Sequence, residues 1–359
     1  MLERKSLMLL ITYNCNLRCS YCYEPKTKNF KMSVQKAKQI LIERIQKYEL
    51  EYNTIEVQFM GGEPFLEFPL IKEVSEWLWT LNLKCNLVIF APTNGTILTD
   101  EIKNWLTHNK ERFTIGLSFD GDKLMQDLNR TMSSYKVNLS YFVNNWPDQS
   151  VKMTISPETI STLASGVKYL HQSGFKHITA DLAMGNSVKW TQNSLLTYKL
   201  QLSQLEDYYL EHPELYPFSM LNIDLRSLIQ DNNENVKSCG CGETLECIDW
   251  TGKSYACHLF SPVALPVEKA NRSNEIYDFH NHTIFDYAIC RKCMLNTICN
   301  HCYGMNYICN DDIRIPSPFH CAAFKIRFAE NCKFQLKLAE RNNDNSHIKI
   351  INNIINKIK

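Results

Sequence analysis

The chain has 359 residues, with 39 Lys and Arg against 38 Asp and Glu, 44% hydrophobic and 21% charged. At about 150 residues per domain this length points to two or three domains with a sizeable core, which excludes a disordered chain. A net charge of +1 argues against an obligatory polyanionic partner such as nucleic acid. The unusual number is fifteen cysteines, about twice the usage expected of a chain this size.

At the N-terminus the only uninterrupted apolar run is 7–11, too short for a secretory signal and far too short to span a bilayer. A cytoplasmic, reducing environment and no membrane partner are therefore expected, and grouped thiols there read as metal ligands or redox groups. Short β-branched runs then alternate with longer amphipathic stretches. Strands are predicted at 7–12, 54–60, 86–92, 113–120, 151–155 and 177–182, with helices over 34–50, 71–81 and 158–171 among those between them. Six βα units suit either an open doubly wound sheet or an incomplete barrel, and both collect function at the C-terminal ends of the strands.

Residues 192–210 place Leu195, Leu202, Leu205 and Tyr209 on one helical face, and His212–Pro213 with Pro217 break the pattern. A boundary is expected at 225–237, dividing the chain into domains 1–225 and 226–330 and a helical tail, 331–359. The second domain is rich in Cys, Gly and Asn, so ligands rather than a core should organise it. From 325 onward eight Lys/Arg against three Asp/Glu predict a solvated helix with a frayed end.

Cys15-Asn-Leu-Arg-Cys19-Ser-Tyr-Cys22 follows the first predicted strand directly. Three thiols from one loop are an incomplete ligand set. A 4Fe-4S cluster takes four, so a loop supplying three leaves one iron open, whereas a structural zinc site would borrow a fourth ligand from elsewhere. CxxxCxYC after a first strand resembles the signature of radical S-adenosylmethionine (SAM) enzymes. Gly61-Gly62-Glu63-Pro64, closing the second strand, resembles the GGEP motif of that family. So do Thr93-Asn94-Gly95 after the third strand and Ser118-Phe119-Asp120-Gly121 after the fourth, with Arg130 twelve residues past Ser118.

The resemblance implies a partial (β/α)6 TIM-like barrel. It assigns Cys15, Cys19 and Cys22 to the SAM-binding cluster, and Gly61, Gly62, Glu63 and Pro64 to the methionine amino group. The remaining cofactor positions are Tyr21 against the adenine, Thr93, Asn94 and Asp120, with Ser118 and Arg130 at the ribose and carboxylate. Paired glycines are expected to let the backbone approach the ligand closely. The implied chemistry, reductive cleavage of SAM and hydrogen abstraction by a 5′-deoxyadenosyl radical, belongs to the cofactor.

Farther on come Cys239-x-Cys241, Gly252-x4-Cys257, Cys290-x2-Cys293-x5-Cys299-x2-Cys302 and Cys321. Taken alone, the paired Cys-x2-Cys steps suit a zinc ribbon as well as iron. Together they resemble the SPASM extension of radical SAM enzymes, apart from the last spacing, which has two residues where the family has three. The resemblance implies two auxiliary 4Fe-4S clusters, one on Cys239, Cys241, Cys257 and Cys302, with Cys309 as the alternative to Cys302, and one on Cys290, Cys293, Cys299 and Cys321. Residues 245–252 read as one arm of a hairpin, and Cys85, Cys247 and Cys332 as packed thiols. No catalytic acid or base is assigned.

SPASM enzymes mostly modify peptides, and CNHCYGMNY over 299–307 resembles maturases of ribosomally made peptides. The expected function is thus a peptide maturase forming a thioether or carbon–carbon crosslink or epimerising a residue. The alternatives are an anaerobic sulfatase-maturating enzyme and, remotely, a non-enzymatic zinc-binding module. His258 after Cys257 counts against the sulfatase reading, since those enzymes carry an Asp there. The expected partners are a ribosomal precursor peptide and an external flavodoxin- or ferredoxin-type electron donor. The fourteen residues before Cys15 predict leader recognition by a separate protein, by the barrel surface, or not at all.

Overall fold

The computed structural model describes all residues except 1, 25–28, 230–236, 238 and 359; most of the expected boundary at 225–237 lies outside the described residues. In chain order come β1 (Leu2–Thr12), α1 (Val34–Tyr48), β2 (Tyr52–Gly61), α2 (Phe68–Leu78), β3 (Asn86–Thr93), α3 (Asp100–His108) and β4 (Phe113–Leu117). Next are α4 (Lys123–Asn129), α5 (Leu139–Asn145), β5 (Val151–Ile155), α6 (Leu163–Gln172), β6 (Ile178–Leu182) and α7 (Gln192–Glu211). The C-terminal elements are β7 (Leu245–Ile248), β8 (Ser254–Tyr255), α8 (Val267–Ile276), α9 (Ala288–Arg291), α10 (Tyr303–Asn310), α11 (Pro318–Arg341) and α12 (Asn345–Ile358). The α/β class and all six expected strands are present.

These elements form two compact units interleaved along the chain. The first comprises 1–119, 130–149 and 240–281; the second comprises 120–129, 150–239 and 282–359.

The first unit is built on a six-stranded sheet in the order β4-β3-β2-β1-β7-β8, parallel except for the last pair. The run at 7–11 supplies its middle, buried on both faces as a central parallel strand requires. Helices start where the sequence offers caps: the Ser33 side chain accepts from Lys36 N–H ahead of α1, and Thr99 from Ile102 N–H ahead of α3. Ala37, Ile40, Leu41, Ile45 and Tyr48 then turn one face of α1 inward. The expected hairpin exists as β7–β8, but it also joins the barrel-type sheet, pairing in parallel with β1 from Ser6↔Leu245 to Leu9↔Ile248. Glu246 fastens it to α1, accepting from Arg44 at 2.7 Å and Tyr48 at 3.0 Å.

The second unit carries β5 and β6 as a parallel pair in a sheet of their own, together with α6, α7 and the C-terminal helices. Here the tail departs from the solvated helix expected of its charge. On α11, Phe328, Cys332 and Phe334 are buried, and on α12 Ile351 and Ile354 are. Phe328, Cys332, Ile351 and Ile354 form one apolar cluster with Ile223, Leu225 and Leu295. The basic residues sit between apolar ones at i, i+4 spacing, so the helix is amphipathic and burial of its apolar stripe outweighs the charge count. No helix of the described residues is long and apolar enough to cross a membrane.

Where α11 packs on α7, two carboxyl side chains, Glu206 and Glu330, are each about 1% exposed. Lys337 Nζ stands 3.4 Å from Glu206 and Lys333 Nζ 2.7 Å from Glu330. Burial, and then the neighbouring Glu330, push Glu206 up to about 8. A carboxyl raised in the folded state favours folding below its unfolded value and loses that contribution as pH rises through the folded value. Glu206→Gln should therefore leave stability near wild type under acid conditions. It should raise unfolding free energy on the order of 1–3 kcal/mol at about pH 9. Denaturant melts across pH check this, and parallel profiles for both proteins would refute it.

Candidate functional site

At the C-terminal end of the first unit's sheet, the loops after β1, β2, β3 and β4 are sewn together. Gly62 N–H donates to Thr12 O at 3.2 Å and Glu63 N–H to Asn14 O at 2.8 Å, tying the second loop to the cysteine loop. Ser118 N–H donates to Thr93 O at 2.9 Å, tying the fourth to the third. Between Cys15 and Cys19, Asn16 exchanges side-chain hydrogen bonds with the third loop: Asn94 Nδ2 donates to its Oδ1 at 2.9 Å and its Nδ2 donates to Thr96 Oγ1 at 2.7 Å. Neither Asn16 nor Thr96 was singled out from the sequence; an amide beside a ligand cysteine was the available signal.

The paired glycines lie against the cysteine loop. A Cβ on Gly61 would lie 2.1 Å from Thr12 O, and one on Gly62 would lie 2.4 Å from Asn14 O and 2.8 Å from Cys15 Cβ. Their hydrogens face the cysteine loop, so it is this loop that demands glycine.

Glu63 is about 1% exposed. Its Oε1 accepts from Phe65 N–H at 3.2 Å and Thr93 Oγ1 at 2.9 Å, and its Oε2 from Asn94 N–H at 2.7 Å. Burial pushes the carboxyl up to about 7, against these three hydrogen bonds and the charge of Arg130, which pull it down. Three of about four acceptor positions are taken, so Glu63 clamps β2 to β3. Pro64 opens a short 3-10 turn, 64–67, which Glu63 caps.

Arg130 is buried, its guanidinium 5.6 Å from the centre of the Tyr21 ring. The turn that follows is strained: Thr131 and Met132 have φ of 57° and 51°, and such conformations cost on the order of 1–3 kcal/mol each away from glycine. Thr131 Oγ1 accepts from Arg18 N–H at 3.0 Å. Asp120 belongs to the second unit, where its carboxylate accepts from Thr154 N–H at 2.8 Å and Asn129 Nδ2 at 3.1 Å. A cavity of about 640 Å³ opens toward the opposite end of β1, beside Lys5, Tyr48, Tyr52 and Tyr255, and no cysteine lines it.

Cys241, Cys247 and Cys257 are buried in the first unit. Gly242 N–H donates to Ala256 O at 2.8 Å, which brings the segments carrying Cys241 and Cys257 side by side. Gly252, at φ 91°, makes the turn between β7 and β8, a conformation that calls for glycine. Tyr23, next to Cys22, is raised by burial and then by charge on Glu24, Cys22, Cys257 and Cys247. Its ring centre is 5.5 Å from that of His258.

In the second unit, burial pushes Cys299 up to about 12, with added repulsion from Cys290, Cys321 and Cys293. The thiols that act on Cys299 are the other three of the expected second set. Cys302 is pushed up to about 11 by burial, with Cys239 as the neighbouring thiol. The expected first set divides, with Cys241 and Cys257 in one unit and Cys239 and Cys302 in the other. Among the described residues, no three His, Cys, Asp or Glu are gathered closely enough to hold a single metal ion.

A family profile described as a 4Fe-4S single cluster domain matches residues 6–137. The chain is 27% identical over 178 residues to a cysteine-type anaerobic sulfatase-maturating enzyme of Clostridium perfringens, covering 46% of this chain and 47% of that one. It is 29% identical over 185 residues to an uncharacterized protein of Methanocaldococcus jannaschii, covering 50% and 62%. Residues 6–137 thus resemble a 4Fe-4S cluster domain. The chain spans at most 62% of the length of these two curated relatives.

Among solved structures, anSMEcpe with bound AdoMet and Cp18Cys peptide has the same fold. Its TM-score is 0.68 at 17% identity, over 98% of this chain and 100% of that one. Streptococcus suis SuiB bound to precursor peptide SuiA gives 0.59 at 16%, over 89% and 76%. The profile match points to a 4Fe-4S cluster, and solved structures with bound AdoMet share the fold.

The chain's residues fit those groups. Cys15, Cys19 and Cys22 are half-buried cysteines on one loop, which suits a cluster with three protein ligands and an open iron. Cys290, Cys299 and Cys302 are raised by burial and by neighbouring thiols, which a cationic iron cluster would reverse by favouring thiolate.

Proposed function

We propose that this protein is a radical SAM enzyme, a peptide maturase acting on a ribosomal precursor peptide and introducing a thioether or carbon–carbon crosslink or inverting a residue. The observation that carries the reading is the sewn set of strand-end loops, which presents a three-cysteine loop beside one buried carboxylate and one buried guanidinium. In this reading Cys15, Cys19 and Cys22 hold the SAM-binding cluster, while Glu63, Arg130 and Ser118 hold the ammonium, carboxylate and ribose of SAM. When bound, the cofactors supply reductive cleavage of the sulfonium and abstraction of hydrogen from the peptide. The chain's own groups orient SAM and exclude water: Tyr21 offers a ring partly covered by Arg130, and Thr93 and Asn94 hold Glu63 in place.

Cys290, Cys293, Cys299 and Cys321 hold an auxiliary cluster in this proposal, and Cys239, Cys241, Cys257 and Cys302 a second. Electrons come from a flavodoxin- or ferredoxin-type donor in the cytoplasm. Sulfatase maturation is the second reading, favoured by 20% identity over 348 residues, 87% of this chain, to another Clostridium perfringens cysteine-type sulfatase-maturating enzyme.

Anaerobically reconstituted protein should bind about twelve iron atoms with matching acid-labile sulfide, from three four-iron clusters. A reproducible value near four would exclude the auxiliary pair. Mass spectrometry of candidate precursor peptides and of a sulfatase-derived peptide after anaerobic turnover with SAM separates the two substrates. A mass change in only the sulfatase peptide would replace the first reading with the second.

A further inference from the structure

We infer that Thr131 is a positioning residue: its strained turn locks the cysteine loop, at Arg18, to the Arg130 side of the SAM site. The inference deepens the proposed cofactor site and rests on the reading that Cys15, Cys19 and Cys22 hold the SAM-binding cluster. Two observations converge on it. Thr131 is a β-branched residue at φ 57° followed by Met132 at φ 51°, a genuine backbone outlier of the kind that persists only when its surroundings over-determine it. In that conformation its hydroxyl accepts from Arg18 N–H at 3.0 Å, directly before Cys19. The preceding residue, Arg130, is buried over the ring of Tyr21, between Cys19 and Cys22. One turn thus grips the loop on both sides of Cys19.

Glycine would relax this backbone but offers no hydroxyl, and alanine removes the hydroxyl while keeping the strain. Serine keeps the acceptor without the β-branch. The role therefore separates into a hydroxyl component and a backbone component, which three substitutions distinguish.

The test measures hydrogen exchange of the Arg18 amide in metal-free protein. It also measures equilibrium SAM affinity and the SAM-induced change in the electron paramagnetic resonance spectrum of the reduced, reconstituted enzyme. Thr131→Ala should exchange Arg18 at least about fivefold faster and bind SAM about five- to tenfold more weakly, the effect of one lost hydrogen bond. Thr131→Ser should restore both. Thr131→Gly should be at least as thermally stable as wild type and still show the losses, which a merely structural role would not produce; it carries the test should Thr131→Ala fail to fold. Wild-type Arg18 protection and SAM affinity in Thr131→Gly or Thr131→Ala would overturn the inference. If wild-type protein takes up no cluster at the triplet, the parent reading fails, and the Arg18 exchange rates in metal-free protein still decide the grip itself.

Discussion

Cys15→Ala, Cys19→Ala and Cys22→Ala are each expected to abolish cleavage of SAM to 5′-deoxyadenosine, and peptide product with it. These thiols share one loop held to Gly62, Glu63, Asn94 and Thr131, and with three ligands for a four-iron cluster there is no spare. The C-terminal thiols should behave differently. Cys299 feels Cys290, Cys321 and Cys293 within the second unit. Variants at Cys299 or Cys321 that still fold should keep producing 5′-deoxyadenosine while losing modified peptide. Chromatography of both products from one anaerobic reaction reads the outcome. Cleavage by a triplet variant would remove the assignment of that thiol, and normal peptide from a well-folded Cys321→Ala would reduce the second set to a structural role.

Gly62→Ala should have the next largest effect, although it adds one methyl group. The new Cβ would meet Asn14 O at 2.4 Å, Asn14 C at 2.7 Å and Cys15 Cβ at 2.8 Å. Two of these are backbone atoms with no rotamer to change, so the loop must move or the Glu63 N–H to Asn14 O hydrogen bond must break. Overpacking of this kind typically costs about 1–3 kcal/mol. Iron retained at the triplet should fall in parallel, because Cys15 moves with Asn14. Denaturant unfolding and the iron-to-protein ratio measure the two effects separately; full iron occupancy with unchanged stability would show that the glycine is dispensable.

The strand pattern was readable because each of the six βα strands is a local run, and the run at 7–11 declares a strand buried on both faces. The motif positions were readable for a related reason, since they sit where strands end. What lay beyond the sequence was pairing at long range. Residues 245–248 are four residues with a cysteine among them, and nothing local announces that they lie against residues 6–9. Asn16 and Thr96 have ordinary identities and acquire their roles only when two loops meet. Charge misled at the tail, because Phe328 and Ile351 find buried partners that no count of lysines reveals. The spacing of the C-terminal cysteines proposed ligand sets, but which thiols are neighbours follows from the fold, as at Cys299.

The late arrival of β7 has a consequence for synthesis. β1 leaves the ribosome ahead of β2 and gains it on one side soon afterward, but its other edge waits for a partner 239 residues farther along, from Ser6 to Leu245. At about 5–20 residues per second, the interval between the end of β2 and the start of β7 lasts roughly 10–40 seconds. Through that time an apolar strand edge is open to pairing with another chain. Nascent chains stalled before residue 245 should therefore self-associate or hold chaperones, and those extended past β8 should release them.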